Sequence, residues 1–297
     1  MGAFISAIPG AVAQGLIWGI MAIGVYITFR VLDFADLTVD GTLATGGAVL
    51  VITMMNGMNV YVALLLSFIA GCVAGLVTGV LNTLLGIPPI LILTQLALYS
   101  VNLRILGKSN QALSIYKYHV LASMTDITKA IIIVAIFVVA IIAILYWFFD
   151  TELGHSIRAT GCNQNMSRAN GINIKFTKIV ALILSNGLVA LAGGLLSQYQ
   201  GFADVNMGRG AIVIGLAAVI IGEVIFGKIF KNFALRLLAV AFGGIIYYIV
   251  MQFVINLGLN TDDLKLLTAV IVAIFLGIPY IKSQYAQKHI KSKGGNK

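Results

Sequence analysis

The chain has 297 residues, of which 60% are hydrophobic and only 10% charged, and its net charge is +9. A soluble domain is about 45–50% apolar and about 25% charged, so a chain of this size could not hide so much apolar surface from water. The composition excludes a water-soluble globular protein. With no short alternating segments it also excludes an outer-membrane barrel, leaving an all-α polytopic membrane protein. The excess cations lie in loops and the tail, as the positive-inside rule expects, and do not signal nucleic acid.

Nine stretches are candidates to cross a bilayer, which takes about 20 residues: 10–29, 40–55, 59–82, 88–106, 130–149, 178–197, 209–227, 233–256 and 265–281. The count carries a margin of one, eight to ten. Residues 1–282 read as one transmembrane domain and 283–297 as a basic cytoplasmic tail near anionic lipid. Met1-Gly2 with Ser6 fits the myristoylation pattern, but the topology below puts that end outside. With loop 150–178 inside, alternation puts Arg30, loop 228–236 and the tail there too. Thirteen cations then lie inside and six outside: Arg104, Lys108, Lys117, Lys129, Arg209 and Lys265. The bias predicts an outside N-terminus and an inside C-terminus.

In chain order, Asp33, Asp36 and Asp40 follow the first span; Asp36, Thr38 or Asp40 is expected to cap the second, where carboxylates suit the positive helix end. The second span is short and reads as a crossing, a broken helix or a re-entrant one. Gly71, Gly75 and Gly79 make two overlapping G-x-x-x-G steps, the spacing of close helix packing within the bundle or between subunits. Cys72 lies in a span and Cys162 in a polar loop, so no disulfide is expected. Gly86 with Pro88 and Pro89 marks a helix start. Segment 108–129 reads as an external surface helix or a connecting loop.

Polar side chains inside spans are costly and are candidate path residues. Gln95, Tyr99 and Asn102 share one helical face at i, i+4 and i+7. Asn82 and Asn186 are further candidates, as is Gln198 in the run Gln198–Asp204, which reads as an aromatic belt or as an outer gate. Interhelical hydrogen bonding is the competing explanation. Glu223 is expected to snorkel, to pair with Lys228 or Arg236, or to meet a partner.

Catalytic and metal chemistry find no purchase. His119, His155 and His289 are scattered, and no H-E-x-x-H or Cys/His cluster occurs. Gly222 to Lys228 matches G-x-x-x-x-G-K, but Ile229 stands where Ser or Thr must hold magnesium, and no strand precedes it. No cofactor is expected in this chain.

The polar stretch 150–178 gives the reading its direction. Thr151-Glu152-Leu153-Gly154, Arg158-Ala159, Gly161, Asn163, Met166, Ala169 and Gly171-Ile172-Asn173 resemble the cytoplasmic loop of ABC importer permeases of the branched-chain amino acid and ribose type. Asp36 to Val39, Ser185 to Gly194, Gln198 to Gly201 and Gly215 to Glu223 are similar to that family in the same order. The resemblance spans Gln14 to Pro279 and is nearest the tryptophan/tyrosine-type subgroup. Gln164, where the family often has an acid, and Asn170, where it is commonly apolar, depart from the pattern.

The resemblance implies a coupling helix over Asn163–Asn170 that enters a cytosolic ATPase subunit. It would comprise Asn163, Gln164, Asn165, Met166, Ser167, Arg168 and Ala169, with Gly161 and Gly171 as flanking turns. Independently, Asn163 suits a helix cap and Gly171 a stop. The resemblance further implies a homodimer in the bacterial plasma membrane, ATP and magnesium held by the partner ATPase, an extracellular binding protein, and an amino acid as cargo, with the subgroup pointing to an aromatic one. A stand-alone secondary transporter is the alternative; it would be expected to show deep ionisable groups and inverted repeats.

Overall fold

A computed structural model describes residues 2–88, 93–257 and scattered positions from 266 to 277. Helices α1 (Gly2–Tyr26), α2 (Val39–Met55), α3 (Val60–Thr83), α4 (Leu93–Leu106) and α5 (Ile127–Phe149) make the first half. Short helices α6 (Glu152–Cys162) and α7 (Gln164–Ala169) follow, then α8 (Ile174–Gln200), α9 (Ala211–Phe226) and α10 (Phe233–Asn256). A π-helical turn, Ile27–Val31, extends α1.

Among the described residues, five helical stretches are long and apolar enough to span a membrane: Ser6–Val31, α3, α5, α8 and α10. Helices α2 and α9 are apolar but shorter. Eight of the nine expected spans coincide with helices, α4 in part. The span 265–281 lies largely outside the described residues, and the tail lies wholly outside them.

Helix α8 forms the centre, because small residues let its neighbours approach. An added Cβ at Gly71 would strike the Asn186 carbonyl, one at Gly75 the Leu182 carbonyl, and one at Gly79 would lie 3.1 Å from the Ile179 Cα. The glycine steps therefore pack α3 on α8 within one chain. Helix α2 packs on α8 beside α3, with Gly46 against the Ala190 carbonyl, Gly193 against the Leu43 carbonyl and the Ser67 hydroxyl of α3 donating to the Gly46 carbonyl.

Segment 108–129 forms no helix before Ile127. It is a connecting loop whose strand β1 (Asn110–Ala112) pairs antiparallel with β2 (Phe202–Asp204). Gln111 and Tyr118 contact Met55 at the far end of α2. Arg30, Glu223 and loop 228–236 gather at the opposite end of the bundle, beside α6.

Candidate functional site

Helix α7 is cut out of the polar loop by its own residues. The Asn163 Oδ1 accepts from the Met166 amide at 3.0 Å, which stops α6 and starts α7. Gly171 ends the turn with φ 79°, a conformation that penalises any Cβ. Asn173 then caps α8 through the Phe176 amide. Of α7, only Ser167 is buried; Met166 is 66% exposed and Arg168 is exposed.

One expected turn is corrected. Gly161 is not a turn but lies inside α6, where a side chain would collide with the Val31 carbonyl. Its missing side chain serves contact between α6 and the π-turn. Arg158, one helical turn earlier, stacks its guanidinium 4.2 Å from the Phe233 ring centre. A cleft of about 480 Å³ beside it is lined by Arg30, Arg158, Lys231, Arg236 and Asp150 among others.

The polar residues of the spans form a seam around the start of α2. Asp36 Oδ1 accepts from the Thr38 amide at 2.9 Å, and Oδ2 accepts from Asn186 Nδ2 at 2.6 Å. Asn186 Oδ1 in turn accepts from the Thr42 hydroxyl at 2.8 Å, and the Thr38 and Thr78 hydroxyls bond at 2.9 Å. Burial pushes the Asp36 carboxyl above its usual range, against the pull of its hydrogen bonds.

Asp40 corrects the capping expectation. It lies in the first turn of α2, but its carboxylate accepts from the Gly210 and Ile212 amides, both at 2.9 Å, and so caps α9. Thr38 holds the N-cap position of α2, as one of the expected alternatives has it, but its hydroxyl bonds Thr78 and none of the helix's first amides. Glu223 likewise pairs with neither Lys228 nor Arg236. Its Oε1 accepts from Arg30 Nε at 2.8 Å, because the π-turn that extends α1 and the end of α9 meet there.

The candidate path residues separate. Asn102, Asn186 and Gln198 are fully buried and bonded within the chain: Asn102 donates to the Gly41 carbonyl at 3.2 Å, and Gln198 accepts from the Leu121 amide at 2.9 Å. Asn82 donates to the Ile87 carbonyl at 3.0 Å. Gln95 is half-buried against α2, and Tyr99 is 42% exposed. In the Gln198–Asp204 run, Tyr199 is buried with its hydroxyl toward the Gly10 carbonyl, so it is no belt residue.

The bonds at Asp40 and Glu223 join residues 170 and more positions apart, and sequence reasoning missed both. A surplus of carboxylates in LDFADLTVDG was the available signal.

An apolar bundle with a buried polar seam and a polar, capped loop is the build of a solute permease. The chain belongs to the branched-chain amino acid transport system permease component family, whose model matches residues 8–279. It is 41% identical over 273 residues to the tyrosine transport system permease protein of Clostridioides difficile, covering 91% of this chain and 90% of that one. An uncharacterised protein of Rickettsia prowazekii is 34% identical, over 90% of this chain and 95% of its own. The D-allose transport system permease protein of Escherichia coli is 29% identical, over 76% of this chain and 67% of its own. No solved structure matches the chain. The protein is thus a multi-pass plasma-membrane protein, the permease component of an ABC transport system, and not itself an enzyme.

Proposed function

We propose that two copies of this permease enclose a path for an amino acid, an aromatic one, and that α7 with its flanks carries the force of ATP binding into the membrane. The chain begins outside, crosses nine times and ends inside in a basic tail. A cytosolic ABC ATPase holds ATP and magnesium and receives Asn163 to Ala169. An extracellular binding protein delivers the solute. The aromatic cargo is taken from the relative named for tyrosine transport, 41% identical over nearly the whole chain.

The observation that carries the coupling role is the exposure of α7. A six-residue helix fixed at both ends leaves Met166 and Arg168 outward, the pairing of apolar knob and cation that fits a cleft on a partner. Along the path, Gln95 and Tyr99 are the side chains that reach outward, while Asn102, Asn186, Gln198 and Asn82 hold the wall behind them.

Co-purification tests this directly. Arg168→Glu and Met166→Glu should strip the ATPase from the solubilised complex and abolish uptake while the permease still folds. Full uptake with Arg168→Glu, or no ATPase with the native permease, would sink the reading.

A further inference from the structure

Arg209 lies in a segment, 205–210, that leaves β2 and turns back into the bundle. Gly208 packs on the Asp40 carbonyl, and the Gly210 and Ile212 amides donate to the Asp40 carboxylate. Asp40 and Met55 sit near opposite ends of α2, whose 17 residues rise 1.5 Å each, so they are about 22 Å apart along the axis. Met55 contacts the loop of β1 at the bundle's end. In a hydrocarbon layer about 30 Å thick, Arg209 therefore lies at membrane depth and not among headgroups. The cation count places it on the outer side, as the first residue of the span 209–227.

The surroundings of Arg209 are unusual for such a depth. Its side chain is exposed on the surface of the single chain, and no carboxylate pairs with it among the described residues. The nearby carboxylate of Asp40 is already spent on the first amides of α9. The guanidinium instead lies 6.0 Å from the ring centre of Tyr99, which is 42% exposed. A bare cation facing lipid there is costly, so charged groups at this depth face water-filled paths or partners.

We infer that Arg209 and Tyr99 form the substrate subsite of the path. The guanidinium takes the α-carboxylate of the solute through paired N–H donors, and the Tyr99 ring packs against its aromatic side chain. The inference rests on the amino-acid cargo of the proposed function and adds the residues that recognise it. It also gives the path a cation, matched to a zwitterion whose carboxylate would otherwise be stranded.

The test uses the assembled importer in vesicles. Arg209→Gln should lower L-tyrosine uptake about 10- to 100-fold, the loss expected of a charge-assisted hydrogen bond. Arg209→Lys should recover most of it, and Arg104→Gln, a cation elsewhere on α4, should leave it unchanged. ATPase co-purification reports that each complex is assembled; where Arg209→Gln fails to assemble, Tyr99→Leu carries the uptake test with a roughly tenfold loss expected from its lost ring contact. In a Cys72→Ala, Cys162→Ala background, R209C should react with a water-soluble thiol reagent. Uptake within twofold of native by an assembled Arg209→Gln complex, or an unreactive R209C thiol, overturns the inference. Thiol reactivity is read on the permease alone, so it stands even if the ATPase partnership fails.

Discussion

Asp36 carries a carboxyl group into a space closed to water, and its hydrogen-bond partners are all donors. Replacing it by Asn turns an amide N–H₂ toward a donor it cannot satisfy, either the Thr38 amide or Asn186. Asp36→Asn should therefore lower stability by about 1–3 kcal/mol, read by thermal unfolding in detergent. The pH dependence has a definite sign. Burial raises the folded carboxyl above its ordinary value of 3.8, so the folded state holds the proton longer than the unfolded one. The contribution of Asp36 is complete below the unfolded value and is lost as pH rises through the folded one. The gap between native protein and Asp36→Asn should narrow over that rise; a constant gap would show that Asp36 does not titrate differently in the fold. Asp40→Ala removes two amide acceptors from the start of α9 and should cost about 1–2 kcal/mol by the same measurement.

At the scale of the element, the contact of α3 with α8 depends on absent side chains. Gly75→Leu pushes a branched side chain into the α8 backbone at Leu182, and should cost about 1–3 kcal/mol or more and broaden gel-filtration profiles in detergent. This contact was legible in the sequence, since glycines four apart state their own geometry. The cap of α7 was legible for the same reason: Asn163 and Gly171 act on backbone within a few residues. What was not legible joins distant positions. Reading neighbours alone assigned Glu223 to Lys228 or Arg236, whereas the packing of α9 on α1 gave it Arg30. Gly161 was misread because a glycine that lets a helix approach a carbonyl and one that breaks a helix look alike in sequence. Gln95, Tyr99 and Asn102 keep a helical spacing on α4, but α2 covers Asn102 and leaves Tyr99 open, which spacing alone does not foretell.

For the whole molecule, the native cysteines report the sidedness. Cys162 is exposed beside α7, and Cys72 lies on α3 against α8. A membrane-impermeant maleimide should label Cys162 in inverted vesicles and not in intact cells. Labelling from outside would reverse the proposed topology. The ion pair Arg30–Glu223 joins α1 to α9 at the same end, yet it is largely solvent-exposed; Glu223→Gln should change stability by less than about 1 kcal/mol, so the joint is made by packing.

The contact of Gly161 with Val31 has a mechanical consequence. Helix α6 touches α1 at its π-turn, the one place where that long helix is wound wider than the rest. A wide turn is a store of slack, able to tighten by passing one residue along the helix. A shove on the loop would be met first by this spring and not by a rigid rod. The stroke reaching the solute would then depend on how stiff residues 27–31 are, and a substitution that straightens them would alter the length of the stroke without touching either the loop or the cargo.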